Sequence, residues 1–230
     1  PGADPHTYEP PPGIIAELAE ADVYAVVGSG IEFEFTWKDK IAAMNPTMLV
    51  VDCSRGVDLI STGEGGHPGT DPHTWLSPRC AKVMVENICQ GLIEVDPEGA
   101  DAYRRNADRY LDELDALDEE IAGALAASGV ERIMVYHPSW AYFARDYDLE
   151  QIPIESEGKE PSPRGIEHLI TQAKEEHIRV VFASPEYSTR SAEVIADEIG
   201  GTVVLVSPLA EDYLANMRHV AAAFAGSVSP

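Results

Sequence analysis

Between Pro97 and Ala127 the residues Tyr103, Ala107, Tyr110, Leu114, Leu117, Ile121 and Leu125 recur at spacings of four or three. That spacing marks one apolar face of a single amphipathic helix. Asp96 stands where an N-cap belongs, Pro97 fits the first helical position, and Ser128-Gly129 closes the run. The predicted helix is on the order of 46 Å long at 1.5 Å per residue, with an acidic outer face. A helix of this length in mid-chain is predicted to join two separate bodies.

The sequence on either side fits that division. Pro1–Gly13 carries five prolines and two glycines and reads as loop. A helical stretch is expected over Ile14–Glu20. Short buried strands are expected over Asp22–Val27 (closed by Gly28-Ser29-Gly30) and Thr47–Val51. Ser61–His73 is a glycine-rich loop, and Pro78 opens a helix to about Ile93. Beyond the long helix, strand candidates at Arg132–Tyr136, Ile152–Ile154, Arg179–Ala183 and Thr202–Val206 alternate with helical patterns at Trp140–Asp146, Ile166–Glu176 and Ser191–Ile199. A last helix is expected over Glu211–Phe224. Short apolar strands alternating with amphipathic helices predict an α/β fold with mostly parallel sheets covered on both faces. The expected division is residues 1–95 as an N-terminal lobe, 96–128 as linker helix and 129–230 as a C-terminal lobe. With two strands, the first lobe's sheet is expected to be thin.

Forty Asp and Glu face sixteen Lys and Arg, a formal net charge of −24. A phosphate backbone and an anionic membrane surface are both repelled by such a chain, whereas cations are attracted. No run approaches the roughly 20 apolar residues of a membrane span. Cys53, Cys80 and Cys89 form no C-x-x-C. Cys80 and Cys89 on one helix would stand about 13 Å apart, too far for a disulfide. All three read as small buried apolar residues. The chain starts with Pro1, not Met, so a processed or trimmed N-terminus is expected.

Two histidines sit in echoing segments, Asp4-Pro5-His6-Thr7-Tyr8 and Asp71-Pro72-His73-Thr74-Trp75. Each proline limits the backbone beside its histidine, and each Asp is placed to orient a metal-bound imidazole. His137 follows a predicted strand directly, and Glu186 and Ser207 follow two others. Ligands of open parallel sheets bind beyond the carboxyl ends of the strands. Three imidazoles and a carboxylate make an N₃O site suited to Zn²⁺, with Mn²⁺ and Fe²⁺ also accommodated. His67 lies in the glycine-rich loop. His168, His177 and His219 fall within helical patterns and are given no role.

The segments P-G-A-D-P-H-T-Y-E-P (Pro1–Pro10), D-P-H-T-W-L-S-P (Asp71–Pro78), Y-H-P-S-W-A-Y-F-A (Tyr136–Ala144), E-G-K-E-P-S-P (Glu157–Pro163), S-P-E-Y-S-T (Ser184–Thr189) and N-M-R (Asn216–Arg218) together resemble the metal-binding solute-binding proteins of zinc and manganese ABC transporters, the cluster A-I or TroA/ZnuA-like proteins. The resemblance implies two α/β lobes on a rigid helix with one metal in the cleft. It makes His6 and His73 ligands from the first lobe and His137 a ligand from the second. The loop with His67 resembles a shortened form of the His-rich loop of some zinc members. Where manganese-selective relatives often place Glu, this chain has His137, which favours Zn²⁺. Relatives carry an Asp after the last strand where this chain has Ser207. Glu186 is therefore the expected fourth ligand, with Glu157, Asp212 or a water as substitutes. Relatives also have a further strand–helix–strand unit before the first motif. The N-terminal lobe is expected to be truncated by that unit, with an exposed sheet edge and some tendency to associate.

The expected function is thus extracytoplasmic capture of a divalent transition metal and its delivery to an ABC transporter permease, by a protein anchored or processed outside the cytoplasm and monomeric unless the short lobe associates. No enzymatic activity is expected. Affinity should fall as pH drops through the imidazole range, because only neutral imidazole binds metal. The alternative is a zinc-dependent hydrolase with three histidines, an open metal position and Glu186 as general base, although no H-E-x-x-H occurs. A third option is an adhesive surface protein whose metal is only structural.

Overall fold

A computed structural model describes residues 8–62, 69–156, 158–186 and 188–228. His6, His67 and Glu157 lie outside the described residues. The chain divides into two compact units, Pro1–Asp115 and Ala116–Pro230.

In the first unit, β1 (Val23–Val26) and β2 (Leu49–Asp52) form a two-stranded parallel sheet. Helix α1 (Pro12–Leu18) precedes it and starts two residues earlier than its apolar pattern, because Pro12 occupies a first-turn position that needs no N–H donor. Helix α2 (Glu32–Met44) crosses from β1 to β2. Its E-F-E-F-T-W opening alternates with a period of two, and the whole helix buries only Glu34 and Ile41, so the sequence carries little helical signal there. Helix α3 (Pro78–Val95) is capped by the Ser77 hydroxyl, which accepts from the Cys80 N–H at 3.3 Å.

The long helix α4 (Ala100–Ser128) begins one turn after the predicted start, since Pro97–Gly99 forms a 3₁₀ turn capped by Asp96. The boundary between the units falls within α4. Among the described residues no helix is long and apolar enough to cross a membrane.

The second unit holds a four-stranded parallel sheet, β3 (Arg132–Val135), β4 (Glu150–Pro153), β5 (Val180–Ala183) and β6 (Thr202–Leu205), in the order β4-β3-β5-β6. Side chains alternate across it. Met134, Tyr136, Ile152, Val181 and Ala183 pack in one core with Leu169 and Ala173 of α6 (Pro163–Glu175) and Ala192, Ile195 and Ile199 of α7 (Arg190–Ile199). Phe182, pointing to the other side, meets Phe224 of α8 (Tyr213–Ala225) at a ring-centroid distance of 4.6 Å, and Phe224 also meets Phe143 of α5 (Ala141–Asp146) at 5.5 Å. Leu117, Ile121 and Leu125 of α4 are buried in this unit too. The chain runs outward from β3 to β4, returns past β3 to β5 and continues to β6. The strand order therefore reverses between β3 and β5, where open α/β sheets place their ligands.

Candidate metal centre

The DPHT segment of the first unit is held by buried polar contacts. Asp71 Oδ1 accepts the backbone N–H of His73 at 2.9 Å and stands 3.0 Å from its Nδ1. Both residues are buried, and the His73 ring lies 5.4 Å from that of Trp75. The Gly28-Ser29-Gly30 tip beyond β1 clamps the same segment: the Ser29 hydroxyl donates to the Pro72 carbonyl at 2.6 Å, and Thr70 Oγ1 donates back to the Ser29 carbonyl at 2.5 Å. Glu34 fixes the root of that tip by accepting from the N–H groups of Val27 and Gly28. Ser29 is fully buried, so Ser29→Ala removes one of two hydrogen bonds to the Pro72 carbonyl, which keeps the Thr74 N–H at 2.9 Å. That is expected to cost about 0.5–1.5 kcal/mol, which thermal denaturation reads as a drop of roughly 2–4 °C per kcal/mol in a chain of this size.

In the second unit, His137 lies just beyond β3. The parallel register pairs Arg132 with Glu150 and Val135 with Pro153. Continued by two residues, it sets His137 beside Glu155, whose Oε1 stands 2.6 Å from Nδ1 of His137. Glu155 is buried at 6% exposure. Tyr136 donates its hydroxyl to Glu160 at 2.8 Å, and Ser191 donates to the same carboxylate. Burial, with the Glu160 contact second, pushes the Tyr136 phenol well above its ordinary range.

Glu186 follows β5 and Ser207 follows β6. The Ser207 hydroxyl donates to Glu186 Oε1 at 2.8 Å, and the Ser184 hydroxyl donates to Oε2. Asp212 is engaged elsewhere, its carboxylate capping α8 through the Ala215 N–H at 3.1 Å. His168 and His219 are exposed on α6 and α8. His177 falls outside the helical pattern expected for it, taking φ 58° just beyond α6.

The three cysteines are free and buried. Burial first, then the charges of Asp52 and Glu34, push the Cys53 thiol up to about 11, in keeping with a buried core cysteine.

Among the described residues no group of three or more His, Cys, Asp and Glu side chains is placed to hold a metal ion; His6 lies outside them. Two of the individual positions, His73 and His137, each stand beside a carboxylate at Nδ1. A carboxylate at Nδ1 fixes the ring and favours the tautomer with its lone pair on Nε2, the usual environment of a metal-bound imidazole. Asp71 was foreseeable from its place two residues before His73. Glu155 was not, because only strand register brings it to His137.

Known proteins resemble this chain over nearly its whole length. The family model described as zinc-uptake complex component A, periplasmic (ZnuA), matches residues 1–227. The iron-binding protein YfeA of Yersinia pestis is 30% identical over 218 residues, covering 91% of this chain and 69% of the relative. The zinc uptake protein ZnuA of Bacillus subtilis is 28% identical over 219 residues, covering 90% of this chain and 68% of the relative. A crystal structure of a ZnuA aligns with a TM-score of 0.93 at 42% identity, over 99% of this chain and 88% of that one.

Proposed function

Because the chain belongs to the ZnuA family of zinc-uptake components, we propose that it captures a divalent transition metal outside the cytoplasm and delivers it to the permease of an ABC transporter, with Zn²⁺ favoured over Mn²⁺ and Fe²⁺. The observation that carries this reading is that two histidines far apart in sequence, His73 and His137, each hold a carboxylate at Nδ1, at 3.0 and 2.6 Å. An imidazole serving only as core filling has no need of an ionised partner, and burying one is costly. A metal-binding imidazole gains both orientation and basicity from it.

The ligands in this reading are His6, His73, His137 and Glu186. Three nitrogen donors and one carboxylate suit Zn²⁺, whereas Mn²⁺ favours oxygen-rich six-coordination. The metal is cargo. The protein has only to hold it reversibly, and the excess negative charge of the chain raises the local cation concentration. The family's members are solute-binding components of uptake systems and not enzymes, so the hydrolase alternative is set aside.

Protein purified without added metal is expected to give an anomalous signal at the zinc edge. Glu186→Gln is expected to weaken Zn²⁺ binding at least about tenfold in competition titration, because the variant keeps the shape and loses the charge that a cation requires. An unchanged affinity would move the fourth ligand elsewhere.

A further inference from the structure

The connection from β4 to α6 carries Glu155, the partner of His137, and adds little to the core. Ser156, Lys159, Glu160 and Ser162 are all exposed. Within it, the Ser156 N–H donates to the Lys159 carbonyl at 3.3 Å and the Lys159 N–H to the Ser156 carbonyl at 3.0 Å. A segment with so few buried apolar contacts opens locally at low cost. Glu160 ties it to two firm points. One is Tyr136, buried in the sheet's core with Ile154, Ala183 and Ala192, whose hydroxyl donates to Glu160 Oε1 at 2.8 Å. The other is Ser191 in the first turn of α7, beside the fully buried Ala192, whose hydroxyl donates to Oε2. The Glu155 N–H also donates to the Tyr136 carbonyl, at 3.0 Å. Backbone and side chain of Tyr136 thus grip two ends of one short stretch.

We propose that Glu160 is a reversible latch on this connection, and that its opening withdraws Glu155 from His137. An ionised carboxylate that accepts from hydroxyls makes the stronger, charge-assisted kind of hydrogen bond, so the closed state is favoured. Glu160 is itself exposed. Water can therefore take over its oxygens when the hydroxyls let go, and opening leaves no buried charge behind. A buried carboxylate in the same place would hold the connection permanently. Glu155 lies five positions before the latch, and its Oε1 reaches Nδ1 of His137 at 2.6 Å only while its backbone stays paired with Tyr136. Once the connection lifts, the half-buried imidazole loses the carboxylate that fixes its orientation and tautomer. Closing restores both. The position of an exposed segment is thus coupled to the state of a ring at the end of β3.

The test is residue-resolved amide hydrogen exchange by NMR on the whole chain, with a chelator present and at one pH above the imidazole range. Glu160→Ala is expected to speed exchange at Glu155, Ser156 and Lys159 on the order of tenfold, the scale of a lost hydrogen bond to a charged group. Val181, in the middle of β5, should keep the parent's rate. Tyr136→Phe is expected to give part of the same increase alone and to add nothing in the Glu160→Ala protein, because the contact it removes is already gone; Ser191→Ala should behave likewise. The ring ¹⁵N shifts of His137 supply a second reading, which a merely structural role for Glu160 would not move. They should shift from one tautomer toward a mixture in Glu160→Ala. Unchanged exchange at the three amides, or a full further increase from Tyr136→Phe on top of Glu160→Ala, overturns the latch. So does a rise that includes Val181, since the whole unit would then have loosened. Faster exchange with an unchanged His137 tautomer overturns the coupling to Glu155.

Discussion

Replacing His137 with alanine is expected to reduce metal affinity on the order of 100-fold or more, on the reasoning that sites with four ligands share roughly 10–16 kcal/mol of apparent binding free energy and each tenfold is about 1.4 kcal/mol. The variant removes a proposed nitrogen donor, and no neighbouring side chain on β3 can replace it. It also strips the buried Glu155 carboxylate of an imidazole 2.6 Å away, so some loss of stability should accompany the loss of binding. Two comparisons separate the effects. Glu155→Gln keeps the ring and the hydrogen bond but weakens the hold on it, and should cost about 10–100-fold in affinity. His219→Ala alters an exposed ring on α8 and should change nothing. Competition titration with a chelator reads all three, and equal affinities for His137→Ala and His219→Ala would falsify the ligand assignment.

These expectations depend on how much of the site can be read along the chain. The echo of D-P-H-T exposed His73 and its partner Asp71, because the pairing is local and proline narrows the backbone between them. The alternation of strands and helices in the second half was legible because each strand is a short buried apolar run and each helix keeps a 3.6-residue period. Three things were not legible. Helix α2 shows a two-residue alternation at its start, and its buried Glu34 faces inward to serve two backbone N–H groups at the end of β1. Glu155 and the Ser207 hydroxyl reach their partners only through strand register, a long-range property that no local window contains. Asn216, inside the N-M-R segment, was visible as a motif, but its bond to the Ser207 carbonyl exists only once α8 has packed onto the sheet through Phe224 and Phe182. Residues paired within a few positions could be read; residues paired across the sheet needed the fold.

Gly201 tests the part of that fold on which the Ser207–Glu186 contact depends. Substitution by alanine is expected to destabilise the second unit by about 3 kcal/mol, at the upper end of overpacking costs. A Cβ at this position would lie 2.0 Å from the Arg179 carbonyl oxygen and 2.8 Å from its carbon. Those are backbone atoms at the entry to β5, and the same oxygen accepts the Thr202 N–H at 2.9 Å, so no side-chain rotation relieves the clash. The chain must instead move β6 away from β5 at the first rung of their ladder, which begins at Val180 and Thr202. Gly200 provides an internal comparison. It takes φ 64° at the end of α7, with only a flexible Arg179 nitrogen near a hypothetical Cβ. Its replacement by alanine carries only the left-handed penalty of about 1–2 kcal/mol. At roughly 2–4 °C per kcal/mol for a chain of this size, Gly201→Ala should melt on the order of 10 °C below the parent and clearly below Gly200→Ala. Because β6 leads directly to Ser207, metal affinity in the folded fraction should fall with it. A Gly201→Ala protein that melts like the parent would mean that β5 and β6 do not pair in this register, and Ser207 would then have no route to Glu186.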